Sequence, residues 1–413
     1  MSITRLKPIV LILALVLGLA GLVLYLSSYF IGLLLMLAAV IIVFAYRAAS
    51  GEKEAAAEDA RRLLRNLSVP AAGVAVAVLV GGILMLATGY DPVAAYRALF
   101  YGGFVKNWHI SILNASPLIF TGLAVAFAFK ASLFNIGAEG QYYVGAMVAT
   151  YLGIFLKLPP LFSIILIFLV SGLLSALYNF IPALLKVRTG AHEVITTMMF
   201  AHIARYVSSI FIRGMGGDSA GPHPYVSDPI LESNWLPRFQ SILPRANYRL
   251  HAGILIAIAM AIFVHYILTR TKFGFEIRAV GQNPQAARMQ GISVGKNIFR
   301  ALLFAGFLAG LAGTNQVLGL EHKLFENLQA GYGWNGISVA LLASNHPIGV
   351  IFASLLWGAL DAGGQYMART TQTPNAIVEI IKGIILFLVV ARYLYVALRN
   401  RIKRRRRTAG EAA

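Results

Sequence analysis

Three polar side chains sit close together in an otherwise apolar stretch, FNIGAEGQYYVGA at residues 134–146: Asn135, Glu139 and Gln141. Two amides and a carboxylate at this spacing can exchange hydrogen bonds with a polar solute, and Phe134 and Tyr142 add aromatic faces. An ionised glutamate at the centre of a bilayer costs about 2.5–3.5 kcal/mol on insertion scales, so Glu139 requires a partner, water or an interfacial position. Gly137 and Gly140 allow a helix break or a close helix approach, and freed backbone groups there would face a pathway. The alternative reading puts Glu139 at the membrane edge, near Lys130. Elsewhere, Asp361 and Gln365 are four residues apart and share a helix face, whereas Glu379 and Lys382, three apart, are placed to neutralise one another. His192, Glu193 and His202 lack the H-E-x-x-H spacing of a zinc site, and no metal site is expected. Trp334 and Trp357 suit packing or interfacial roles.

A second group of residues does its work through shape. In TKFGFEIRAVGQNPQAARMQGI, residues 271–292, Asn283 is an N-cap candidate and Pro284 fills the first helical position. Residues 285–290 continue a short helix, and Gly291 stands where a left-handed residue would end it. Two turns span only about 10 Å, too little to cross a bilayer. The residues before Asn283 read as a basic loop. Ala286 and Ala287 give the helix a smooth face open to another protein; the plainer reading is a capped surface helix joining two spans.

The elements that must carry these groups follow from composition. Of 413 residues, 58% are hydrophobic and 12% charged, and mean hydropathy is +0.73. Soluble domains carry about 25% charged residues, so the chain is read as an all-α, polytopic transmembrane bundle. The net charge of +19 lies in short segments between apolar runs, which is the positive-inside pattern and argues for anionic lipid over nucleic acid as its partner. There is no cysteine, which excludes disulfides and thiolate chemistry.

In chain order, residues 9–26 and 30–46 form an accessory hairpin, and 47–68 an amphipathic helix on the cytoplasmic face. Residues 69–398 are the main membrane region, with the polar loop at 270–297, and 399–413 a basic cytoplasmic tail. Spans are expected at 69–88, 112–129, 137–155, 161–181, 192–212, 252–269, 298–318, 348–367 and 376–395, with a broken or re-entrant segment at 332–344. Asp91-Pro92 begins a helix within the mixed segment 90–109. The long polar stretch 213–249 is placed outside, both termini inside, and the count is about 10–12 spans.

Four segments resemble the permeases of ABC importers, in the branch that handles branched-chain amino acids, ribose and nucleosides. T-K-F-G…R-A-V-G-Q-N-P-Q-A-A-R…G-I looks like that family's coupling loop, and N-I-G-A-E-G-Q is similar to its N-I-G-x-E-G-Q element. G-A-H-E-V-I-T-T-M-M at 190–199 and G-Y-G-W-N-G-I-S-V-A-L-L at 331–342 resemble two more. His192 replaces the usual Asn, and Ala343 stands where a Gly is usual. The resemblance covers about residues 114–391 and omits the first hairpin.

The resemblance implies a transport subunit for nucleosides, or a simple sugar, in a bacterial inner membrane. Its partners would be an ABC ATPase subunit, a second permease, the same or related, and an extracytoplasmic binding lipoprotein. ATP and Mg would be held by the ATPase partner and no cofactor by this chain. Coupling would use Thr271, Gly274, Arg278, Gly281, Asn283, Pro284, Ala286, Ala287, Arg288 and Gly291. The pathway would use Phe134, Asn135, Gly137, Glu139, Gln141, Tyr142, Glu193, Asn335 and Asp361. For a purine base, Phe134, Asn135, Gln141, Tyr142 and Asn335 offer aromatic and amide partners.

The chain has no G-x-x-x-x-G-K-[ST] loop, since Gly295-Lys296 lacks it, and no G-x-S-x-G elbow. Two rival readings stand beside the permease. One is an ion-coupled secondary transporter using Glu139 or Asp361. The other is a membrane-embedded lipid-modifying enzyme, against which the lack of a dense acidic or histidine cluster counts.

Overall fold

The structure is a computed structural model, and it describes residues 74–215, 225–239, 249–326, 328 and 331–391. The expected hairpin at 9–46, the amphipathic helix at 47–68 and the basic tail at 399–413 lie outside these residues. Residues Val80–Leu386 form one compact unit, described below.

The helices in order are α1 (Val74–Ala87), α2 (Pro92–Phe100), α3 (Trp108–Lys130), α4 (Ala138–Phe155), α5 (Pro160–Tyr178), α6 (Phe180–Thr189) and α7 (Glu193–Gly214). They continue with α8 (Gly253–Arg270), α9 (Lys272–Gln282), α10 (Pro284–Met289), α11 (Val294–Gln316), α12 (Tyr332–Leu342), α13 (Pro347–Thr371) and α14 (Ala376–Val390). Among the described residues there is no strand beyond two isolated bridges. Six stretches are long and apolar enough to cross a membrane: Trp108–Lys130, Pro160–Thr189, Glu193–Gly214, Gly253–Arg270, Val294–Glu321 and Pro347–Thr371. The chain is therefore a polytopic helical membrane protein.

α3 is apolar on all sides, and from Ala115 to Ala128 every residue is buried, as expected of a helix at the centre of a bundle. It packs against α11, α12 and α13. Small residues let these helices close up. A Cβ on Gly145 would collide with the Gly310 carbonyl, and one on Gly313 with that of Tyr142, so α4 and α11 touch backbone to backbone.

The segment 90–109 is more helical than its composition implies. Asp91 Oδ1 accepts from the N–H groups of Val93 (2.8 Å) and Ala94 (3.3 Å), so α2 starts where the Asp-Pro pair places it. A π-helical turn, Tyr101–Lys106, then leads towards α3. The stretch before Asn283, expected to be a loop, is helix α9. Thr271 caps it, its Oγ1 accepting from Gly274 N–H at 3.1 Å, and Gly274, Ile277 and Val280 form its buried face.

Candidate functional site

Two short helices organise the polar groups. The first is α12, whose 11 residues are too few to span a bilayer. Its N-terminus is held deep in the bundle, where the Thr121 hydroxyl donates to the Tyr332 carbonyl at 3.0 Å. Thr121 lies nine residues before the end of α3 at Lys130, about 14 Å along the axis, which is roughly half of a bilayer's hydrocarbon thickness. Four N–H groups at a helix start lack intrahelical partners, and at this depth they cannot rely on bulk water.

Glu139, only 4% exposed, supplies the answer. One carboxylate oxygen accepts from Gly331 N–H and the other from Gly333 N–H, each at 2.6 Å. These are short, charge-assisted bonds, and the carboxylate faces the positive end of the helix dipole. Gly331 has φ +120°, open to glycine, and a Cβ on Gly333 would strike the Glu139 backbone. Glu139 is thus a long-range cap placed in the interior.

The polar network extends from there. Asn335 Oδ1 accepts from Trp357 Nε1 at 3.2 Å. The Lys382 ammonium lies 5.7 Å from the centre of the Trp357 ring and pairs with Asp361 and, at 2.9 Å, with Glu379. The Glu379–Lys382 pairing matches its spacing; the engagement of Asp361 by Lys382 had no local signal. Tyr142 and Tyr143 are fully buried beside Glu139, their rings 5.8 Å apart, and neither hydroxyl has a hydrogen-bond partner.

Other residues of the motif lie apart from this cluster. Asn135 and Gln141 bond to each other in both directions, at 3.0 and 3.2 Å, and Asn135 Oδ1 also accepts from Gly137 N–H at 3.2 Å. Both amides are therefore occupied in shaping the turn into α4. Phe134 stands edge-on to Phe129, with centroids 4.9 Å apart. Glu193, at the start of α7, pairs with Lys186 at 2.7 Å.

The second short helix is α10. Asn283 Oδ1 accepts from Gln285 N–H (3.0 Å) and Ala286 N–H (3.1 Å), with Pro284 at the first helical position. Gly291 has φ +78°, its N–H donates to Arg288 C=O, and Ile292 N–H donates to Ala287 C=O, both at 3.0 Å: a Schellman ending. Only Ala287 is buried; Pro284, Gln285, Ala286 and Arg288 are exposed, and Met289 is 89% exposed. A bare methionine there is an exposed, adaptable apolar side chain that sequence patterning passed over. Arg278 folds back along α9, its Nε donating to Gly274 C=O at 3.4 Å.

The base of this loop is fixed to the core. Ser132 Oγ donates to the Gly281 carbonyl at 2.6 Å, and a Cβ on Gly281 would strike Lys130 at the end of α3. A Cβ on Gly274 would strike Ile267 of α8. The loop that carries α10 is thus anchored on α3, which packs against α12.

A third polar group lies at the far end of α3 from this loop. His322 Nε2 is 2.7 Å from Arg238 Nη2, and its ring stacks on Trp235 at 3.9 Å. Burial, then the Arg238 and Arg249 guanidiniums, push the His322 imidazole down to about 4. Burial, then His322 and Arg238, do the same to His251, also to about 4.

A helical bundle with a buried half-span helix and an exposed, doubly capped loop helix fits a membrane transport subunit. The chain belongs to the family described as the branched-chain amino acid transport system permease component, whose model matches residues 109–390. It is 35% identical to the guanosine ABC transporter permease protein NupP of Bacillus subtilis over 83% of this chain and 98% of that protein. It is 32% identical to the glucose ABC transporter permease protein TsgB13 of Haloferax volcanii, over 78% of this chain and 87% of that one. Lactococcus lactis carries two nucleoside ABC transporter permeases similar to it: NupB, 32% identical over 80% of this chain and 92% of that protein, and NupC, 26% over 68% and 90%. No solved structure matches the chain significantly.

Proposed function

We propose that this chain is one of two non-identical permease subunits of an ATP-driven importer of nucleosides, with a simple sugar as the second reading because of the glucose permease relative. The observation that carries the choice of cargo is Glu139. In a discontinuous helix the N-terminus is a natural seat for an anionic group on the cargo, and here the chain's own carboxylate fills it. A cargo without a carboxylate, such as a nucleoside, needs no such seat. The pathway residues are then those that face the Glu139 cap: Tyr142, Tyr143 and Asn335, with Asp361 linked through Lys382.

The second permease is expected on α7. This helix carries His202, Arg205 and Tyr206 on an exposed face within a membrane-length span, and only 28% of its apolar window is buried. Ionisable groups at such a position face protein or water in preference to lipid. Non-identity is supported by the two Lactococcus lactis permeases, to which this chain is unequally similar. α10 docks on an ATPase subunit that holds ATP and Mg, on the cytoplasmic side, with both chain termini on that side, in a bacterial inner membrane. A binding lipoprotein meets the opposite face, near His322 and Arg238. ATP binding biases the permease between two states by pressing α10.

The test is uptake by proteoliposomes that contain this chain, its ATPase, the second permease and the lipoprotein, offered labelled guanosine, glucose and leucine. Guanosine accumulation that requires ATP and survives a protonophore is the expected result. Accumulation of leucine alone, or uptake driven by a proton gradient without ATP, would overturn the reading.

A further inference from the structure

Beside the coupling loop lies a cleft that transport leaves unexplained. It has a volume of about 390 Å³ and lies between α9 and the start of α11, with residues 291–293, which follow α10, also in its lining. Its rim carries Lys272, Lys296 and Arg300, and its acid is Glu276. That carboxylate is already engaged: it accepts from Asn297 Nδ2 at 3.1 Å and lies 3.9 Å from Lys272 Nζ. Lys296 and Arg300 have no carboxylate partner among the described residues. Glu276 is balanced by Lys272, so Lys296 and Arg300 leave the cleft with two positive charges.

Two further features define the ligand. Phe273 forms part of the lining and belongs to an aromatic cluster with Phe127 and Phe304, so the cleft has an apolar floor under a basic rim. Asn297 is 1% exposed, and its Oδ1 is a buried acceptor without a donor. A ligand that satisfies all of this has a phosphate for the cations, a hydroxyl to donate to Asn297, and some apolar bulk. Arginine and lysine together are the usual partners of a phosphate, and basic pockets at the ends of membrane helices take lipid headgroups.

We propose that this cleft binds a hydroxyl-bearing phosphate ester, bridging the helix before the coupling loop to the helix after it. Such a group can come from an anionic lipid headgroup or from a soluble phosphate compound. The site stands on the cleft alone and does not depend on the cargo or on ATPase docking.

The experiment uses the full chain in nanodiscs of equal phosphatidylglycerol and phosphatidylcholine, released into the gas phase for native mass spectrometry. Wild type is expected to retain phosphatidylglycerol at least fivefold over phosphatidylcholine, and Lys296→Ala/Arg300→Ala to lose that preference. In the second arm, titration with inorganic phosphate and glycerol phosphate displaces the lipid if the same cations hold both. Saturable binding of the soluble compounds without lipid retention assigns the site to a soluble source. Arg188→Ala, an exposed cation elsewhere, controls for loss of surface charge. The proposal is overturned if the double variant keeps both the lipid preference and the phosphate affinity of wild type, or if wild type shows neither. Because both altered residues are exposed, a folded variant is expected; Arg300→Lys, with partial retention, checks the same point without removing charge.

Discussion

α10 and α12 are both short helices whose first N–H groups are capped by a side-chain oxygen, yet the two caps differ in every other respect. α10 is on the surface, and its cap is a neutral amide from the adjoining residue, Asn283. α12 starts inside the bundle, and its cap is a carboxylate 192 positions away in sequence from the first N–H it binds. At the surface, water stands in when a cap is lost. In the interior nothing does, and only a charge-assisted bond meets the whole requirement. On the proposed function the contrast separates two tasks: α10 would be moved by a partner at small cost, while α12 would stay intact as the bundle rearranges.

The largest effect that would break this comparison is at Glu139. Glu139→Leu strands two buried N–H groups at about 1–3 kcal/mol each, a total loss of about 2–6 kcal/mol. Glu139→Gln keeps one good acceptor and is expected to lose about half as much. Thermal unfolding in detergent measures both; equal stability of wild type and the leucine variant would remove the cap from the account.

The next effect is functional. Gly281→Val drives α9 away from Lys130 and so disconnects α10 from α3. Uptake is expected to fall at least tenfold while the ATPase subunit still copurifies, as pull-down and transport assays on the same preparation would register. Undiminished uptake would show that force does not pass through this contact.

Smaller still are the caps of α10. Asn283→Ala is expected to cost about 1 kcal/mol and Gly291→Ala, at φ +78°, a similar amount, both confined to the loop. Hydrogen exchange should quicken in residues 284–292 and stay unchanged in α12; a change in α12 would mean that the two helices are not independent.

A separate prediction concerns pH at the opposite end. His251 and His322 are held at about 4, below their ordinary value near 6.5, so the folded state keeps them neutral while the unfolded chain takes up the protons first. Their contribution is complete above about pH 6.5 and is lost as pH falls towards 4. From pH 7 to 5, stability should drop by about 1–2 kcal/mol per histidine. His322→Gln should flatten the unfolding profile over that interval, and an unchanged profile would contradict the assignment.

How much of this was legible beforehand depended on distance along the chain. The ends of α10 were read from Asn283, Pro284 and Gly291 because a cap and its helix are neighbours. The broken segment at 332–344 was visible from its length and glycines. α9 was read as a loop because its charges masked the three-residue spacing of Gly274, Ile277 and Val280, a signal that was present. The capping role of Glu139, the pairing of Asp361 with Lys382 and the mutual bonding of Asn135 and Gln141 had no signal, since each depends on where the backbone carries residues after folding. Tyr143 and Met289 were passed over because aromatic and thioether side chains in an apolar chain read as ordinary packing, the role also given to Trp357, whose bond to Asn335 had no signal.

The central claim is that α10 carries force from an ATPase into this chain. The natural absence of cysteine makes a direct test available. Met289→Cys, 89% exposed at the end of α10, is placed in the assembled transporter and treated with a short thiol-to-amine cross-linker, with Thr371→Cys at the far end of α13 as the comparison. The account predicts a cross-link from position 289 to the ATPase subunit whose yield changes when ATP is bound, and none from position 371. A cross-link from 371 to the ATPase, or none from 289 in an assembled and active complex, would contradict it.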